Sequence, residues 1–119
     1  MITTKTRIAI IENNSAFQKL IKGMLFKVGM LSQFHFSSVE KFKEQVEKGS
    51  MQFDFVLLNC THSERDLMDL IKKKKMGHLG YGERTLMTPE MINLMGLNHL
   101  VELPFTSEKL FQKIQSADI

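Results

Sequence analysis

Short apolar runs alternate along the chain with longer stretches of helical period. Arg7-Ile8-Ala9-Ile10-Ile11 is β-branched and apolar on both sides, as a strand buried on both faces would be. Behind it, Phe17, Leu20, Ile21, Met24, Leu25 and Val28 fall at i, i+3, i+4, i+7, i+8 and i+11, a single apolar stripe. Asn14 or Ser15 caps this helix, Gln18 is the capping-box partner of Ser15, and Gly29 ends it. Leu31 to Phe36 alternates weakly and predicts a second strand. Ser37 with Glu40 predicts a second capping box, opening a helix with Val39, Phe42 and Val46 inward that closes at Gly49. Phe53 to Leu58 is the third strand, and Ser63 caps a third helix with Leu67, Leu70 and Ile71 inward.

The second half is less regular. Residues 77–82 contain three glycines and have poor strand propensity, and they predict a short fourth strand. Thr88-Pro89-Glu90 is a sharper signal: a capping hydroxyl, a proline at the first helical position and an acid at the positive end of the helix dipole. That helix runs to about Met95 and stops at Gly96. His99 to Leu103 is the fifth strand, Pro104 ends it, and Thr106 caps a last helix with Leu110, Phe111 and Ile114 inward. Five strands alternating with five helices predict a parallel sheet covered on both faces. With no linker or repeat, residues 1–119 are expected to form one domain with no room for an appended effector.

Composition narrows the class. The 119 residues are 43% hydrophobic and 24% charged, which suits a globular domain and excludes disorder and coiled coil. Cys60 is the one cysteine, so an intrachain disulfide and the cysteine-rich zinc sites are excluded. No apolar run approaches the roughly 20 residues of a membrane span, and the N-terminus lacks a secretory pattern. A reduced, cytoplasmic protein is expected. His35, His62, His78 and His99 share no metal-ligand spacing, and the Gly77–Gly82 glycines have no following lysine to make a phosphate loop. No cofactor is therefore expected. The net charge of +3 is small, and Lys72 to Lys75 supplies four positive charges in a row, as a solvated helix end or a docking patch would.

Four segments resemble the receiver domain of bacterial response regulators. Residues 10–15, Ile-Ile-Glu-Asn-Asn-Ser, look like the family's first strand and paired-acid loop. Residues 55–59, Phe-Val-Leu-Leu-Asn, look like the strand that ends in the phospho-accepting aspartate. Residues 63–71 are similar to the stretch that opens the third helix, and residues 96–105 to the segment ending in Lys-Pro-Phe. The resemblance covers nearly the whole chain. It implies an α/β, flavodoxin-like (βα)5 three-layer sandwich with a parallel sheet of order 2-1-3-4-5, shortened around strand 4.

The same resemblance implies a degenerate phosphorylation pocket at Glu12, Asn13, Asn59, Tyr81 and Leu103. Asn59 stands at the accepting position, where an amide is a poor nucleophile. Glu12 keeps a carboxylate but Asn13 does not, so the acidic triad falls from about −3 to about −1 at neutral pH. A magnesium ion wants carboxylate or phosphate oxygens, and one glutamate with two amides makes a weak site. Leu103 replaces the lysine that contacts phosphoryl oxygens, and Leu100 stands at the switch aromatic. The switch hydroxyl falls on Tyr81, with Thr85 or Thr88 as alternatives.

These losses together predict a pseudo-receiver: not an enzyme, metal-free, and a phosphorylation-independent module for protein–protein interaction. Glu12 is expected to be hydrogen-bonded to Asn13, Asn59 or loop backbone, and Asn59 to brace the loop around Thr61. Methionines at 87, 91 and 95 repeat at i+4 on a helix with little charge, either as core or as a partner surface. The partner reading takes Met87, Met91, Met95, Leu100 and Phe111 as the surface for a protein of a bacterial signalling pathway. A homodimer through the helix 4–strand 5–helix 5 face is the related possibility. The alternatives are a non-standard phosphoacceptor at Thr61, Ser63 or Tyr81, a small-ligand sensor using the emptied pocket, and nucleic-acid binding through Lys72 to Lys75.

Overall fold

A computed structural model describes residues 2–49 and 51–117, so the ends of the expected domain, at positions 1, 118 and 119, lie outside them. The elements are β1 (Ile8–Ile11), α1 (Ser15–Lys27), β2 (Gln33–Phe36), α2 (Val39–Lys48), β3 (Phe55–Asn59), α3 (Arg65–Lys73), β4 (Gly77–Gly82), α4 (Pro89–Met95), β5 (Leu100–Glu102) and α5 (Ser107–Ala117). Single 3-10 turns follow β3 and β4. The five strands form one parallel sheet of order 2-1-3-4-5, as a flavodoxin-like fold requires.

Alternation along the strands divides the core into two layers. Ile8, Ile10, Phe55, Leu57, Leu79 and Tyr81 face α1 and α5, where Ile21, Leu25, Leu110 and Ile114 meet them. Ala9, Ile11, Val56 and Leu58 face the other way, onto Val39 and Phe42 of α2, Leu67 and Ile71 of α3 and Met95 of α4. The central strands are apolar on both sides because both layers are dry.

β4 is the longest strand, with six residues, so it is not shortened; the shortest helices, α4 with seven residues and α3 with nine, flank it. Its glycines explain why propensity undersold it. Gly80 and Gly82 lie on the α3–α4 side, where a β-carbon on Gly80 would come within 2.9 Å of Leu97 Cδ1 and one on Gly82 would run into Cys60 Sγ. Leu97 and Cys60 occupy the space that side chains would otherwise fill.

Several expected boundaries shift for local reasons. Asn14 rather than Ser15 caps α1, accepting from the Phe17 amide at 2.9 Å, and the Gln18 side chain donates to the Glu12 carbonyl instead of completing a capping box. Ser38 rather than Ser37 caps α2, taking the Lys41 amide at 3.2 Å. Ser63 does not cap α3; Glu64 holds that place without a capping bond from its side chain, which accepts from Lys43 Nζ instead, and Ser63 Oγ donates to the Met95 carbonyl at 2.5 Å, tying the start of α3 to α4. β3 starts at Phe55, not Phe53, since Asp54 turns its carboxylate to the Arg7 amide at 2.8 Å. Thr88, Gly96 and Thr106 stand where the sequence puts them, with Gly96 left-handed at φ 70°. The Leu103–Pro104 peptide is cis.

A Gly82→Ala substitution should destabilise the protein by about 1–3 kcal/mol through overpacking against Cys60. Adding Cys60→Ala should recover part of that loss in chemical denaturation. Equal stability of wild type and Gly82→Ala would mean that β4 does not need the close approach.

Candidate functional site

Parallel register builds the site. Ile11 pairs with Leu58, and Asn59 pairs with Tyr81, so Glu12, Asn59 and Tyr81 leave the C-terminal edge of three adjacent strands side by side. In open α/β sheets this edge is where ligands bind.

Glu12 is 1% exposed, and its carboxylate is held by donors of the protein itself. Tyr81 Oη donates to Oε1 at 2.5 Å, Asn59 Nδ2 to the same oxygen at 3.2 Å, and the Asn14 amide to Oε2 at 3.1 Å. Three donors on two oxygens offset the cost of burying the group. Among the described residues, no lysine or arginine forms an ion pair with it. Asn59 faces both ways: its Oδ1 accepts from the Thr61 amide at 3.0 Å and from the Thr61 hydroxyl at 2.9 Å. The expected brace is present, and the amide that would have to act on a ligand is committed on both atoms.

Tyr81 is fully buried. Its ring stacks on Phe17 of α1 at 5.3 Å and meets the edge of Phe105 at 6.1 Å. Burial pushes the phenol pKa far above its ordinary value, and the hydrogen bond to Glu12, that carboxylate's charge and the nearby Cys60 push it further. Tyr81 therefore stays a neutral donor.

The other candidates fall elsewhere. The Asn13 residue is exposed beyond the strand edge, and Glu12 takes Asn14's amide rather than any group of Asn13. Leu103 is half-buried against the α1–α5 core. Thr85 is exposed on the turn after β4, and Thr88 is engaged in capping α4, so Tyr81 is the hydroxyl that reaches Glu12. Cys60 is buried, which pushes its thiol pKa up. His78 and His99 face each other at 5.5 Å, and burial, with the charges of His99 and Lys72, lowers the pKa of His78 to about 4. Among the described residues, no three His, Cys, Asp or Glu side chains are placed to hold a metal ion.

The methionine stripe is divided. Met95 is buried in the core beneath α4 and is unavailable to a partner, because it follows the helix's inner face. Met87 lies before the helix, half-buried like Leu100 and Phe111. Met91 is 37% exposed, and Leu94, which stands outside the expected partner set, is 72% exposed. Phe17 and Phe105 were also missed as site residues. Phe17 reads in sequence as one more core position of α1, and only its place in the first turn, just after the Glu12 loop, hints at the site.

The protein contains one tyrosine and no tryptophan, so phenolate absorbance reports Tyr81 alone. A raised phenol pKa leaves stability intact below about pH 10 and removes it above, as the unfolded chain's phenol ionises. Phenolate absorbance should be missing from the folded protein at about pH 10.5 and appear together with loss of circular dichroism. Half-ionisation near pH 10 in the folded protein would contradict the buried bond.

The sequence matches no family model. No curated protein matches it either. Solved structures do match. One is the receiver domain of a sensor histidine kinase from Pseudomonas aeruginosa PAO1, solved with a magnesium ion coordinated in its active-site cleft. It aligns with a TM-score of 0.75 and 16% identity over 95% of this chain and 97% of that one. A response regulator receiver protein from Sinorhizobium medicae WSM419 gives 0.76 and 16% over 98% and 97%. Another from Burkholderia phymatum gives 0.75 and 13% over 96% and 95%. With its element order, sheet order and these likenesses, the chain has the fold of the response regulator receiver domain.

Proposed function

We propose that this chain is a pseudo-receiver: a signal-transduction module that works by protein–protein contact, without phosphoryl transfer and without a metal. The observation that carries the reading is the buried Tyr81–Glu12 hydrogen bond. Phosphoryl transfer onto a receiver-like edge needs a nucleophilic carboxylate, a divalent cation to offset charge, and a positive group for the developing phosphoryl charge. Here the nucleophile's place holds an amide, Glu12 is engaged by three donors, and Leu103 supplies an alkyl chain. The Tyr81 ring, between Phe17 and Phe105, fills the space beside Glu12. That filling also argues against a small-ligand sensor at this edge.

The contact surface of this proposal is the outer face of α4, with Met91 and Leu94 at its centre and Met87, Leu100 and Phe111 as half-buried neighbours. Met95 has no part in it. Flexible thioether and leucine side chains suit a protein partner, which we place in a bacterial signalling pathway in the cytoplasm. Among the described residues, no helix is long and apolar enough to cross a membrane.

Magnesium with beryllofluoride, which mimics a phosphoryl group, should leave the amide resonances of Glu12, Asn59 and Tyr81 unmoved. Large saturable shifts at those amides would contradict the proposal. Met91→Glu should change stability by no more than about 0.5 kcal/mol, since the side chain is partly in solvent, and should abolish capture of the partner from the source cell. Undiminished capture would remove α4 as the docking face.

A further inference from the structure

We infer that the outer face of α1, with the turn that follows it, docks the domain on the surface of an anionic lipid bilayer. Among the described residues, the exposed large hydrophobic side chains fall into two groups. Met91 and Leu94 belong to α4, on the other layer of the sandwich. Leu20 at 50%, Phe26 at 44% and Leu31 at 61% exposure are carried by α1 and its C-terminal turn. Single apolar residues scattered over a surface need no explanation, but three grouped on one helix and its turn do. None of the three is a member of either buried core layer. Phe26 is turned by about 100° from the buried Leu25 and about 140° from the buried Ile21 around the helix, so core packing does not call for it.

Charge selects the occupant. α1 contains Lys19, Lys22 and Lys27 and no acid, and all three lysines are exposed. Lys22 Nζ lies over the Phe26 ring, 5.8 Å from its centroid, so a cation and an apolar group share one spot. Lys27 meets Glu108 of α5 at 3.7 Å, but both side chains are largely in solvent, where such a pair is weak and exchangeable. Together α1 and α5 carry five lysines against that one glutamate, a net +4 in a chain whose total is +3. Pairing this face with the same face of a second copy would set lysine against lysine. Leu20 and Phe26 stand about 120° apart around the helix, as separate projections between cations rather than the walls of one groove. A rigid protein partner would need an acidic surface with a fitted pocket for each projection. A bilayer surface yields to each of them, while the lysine stems lie along the apolar zone and their ammonium groups stay at the phosphates. Helices that rest in a membrane interface carry this mixture of lysine with Phe and Leu. A domain held through α1 presents its α4 face away from the lipid.

The test sediments the whole chain with vesicles of phosphatidylcholine alone and of phosphatidylcholine with about one part in three phosphatidylserine. Binding to the mixed vesicles should be at least about tenfold tighter than to the neutral ones and should weaken as salt is raised. Phe26→Ser and Leu31→Ser keep every charge, and each should weaken it by about fivefold or more. Lys19→Gln combined with Lys22→Gln keeps every apolar side chain and should weaken it by about tenfold or more. Gly23→Ala, whose added β-carbon meets nothing within 4 Å, should bind as wild type does. All the substituted positions are exposed, and thermal melts should show each variant folded. The inference is overturned if the mixed vesicles bind no better than the neutral ones, or if both serine variants bind like wild type, which would leave only diffuse charge attraction. It is equally overturned if Met91→Glu weakens binding as much as Phe26→Ser, or if the vesicles fail to bind while polyglutamate shifts the α1 amides, which would make the occupant an acidic protein. None of these results bears on the Glu12 site, so the two readings stand or fall separately.

Discussion

A tyrosine hydroxyl resting on a buried carboxylate organises the C-terminal edge of this sheet. Glu12 leaves β1 at the point where a receiver-like fold places its acidic loop, and a lone buried carboxylate there needs partners. In this chain the partners are a phenol, an amide and a backbone N–H. Each is neutral, each is fixed by its own strand or helix cap, and none can leave without exposing charge to an apolar interior. The same bond explains the aromatic packing, because the Tyr81 ring must lie between Phe17 and Phe105 for its hydroxyl to reach Oε1.

Much of this was legible in the sequence, and for physical reasons. The both-faces-apolar runs at Ile8–Ile11 and Phe55–Leu58 could only be central strands, and their alternation with amphipathic helices left few topologies open. Capping residues that also set the chain direction, such as Thr88 before Pro89 and Gly96 after Met95, were read to the residue. The pattern left Asn14 and Ser15 both open and placed the second cap at Ser37, one residue before the observed Ser38, since backbone geometry selects between neighbours of equal chemistry. Ser63 looked like a cap and became a tie to the Met95 carbonyl, a long-range bond that no local rule contains.

The site was half legible. Its members Glu12, Asn59 and Tyr81 were found by resemblance, yet the direct Tyr81–Glu12 contact was not expected. Which side of β4 Tyr81 faces depends on strand register, and a glycine-rich strand specifies register weakly in sequence. In the structure, Gly80 and Gly82 settle it by turning their empty faces to Leu97 and Cys60, which sends Tyr81 to the opposite side. The strand that looked least like a strand thus aims the residue on which the pocket depends. Along α4, the Thr88 cap already set Met87 before the helix, so the i+4 methionines were never one helical stripe, and the structure divides them into a buried Met95 and an exposed Met91 with Leu94.

The coupling between the two central side chains is the most direct measure of this account. A double-mutant cycle of Tyr81→Phe and Glu12→Gln, followed by chemical denaturation, should return an interaction energy of about 1.5–3 kcal/mol, as expected for a buried hydrogen bond to a charged group. A coupling within about 0.5 kcal/mol of zero would contradict it, because the two side chains would then be neighbours that do not hold each other.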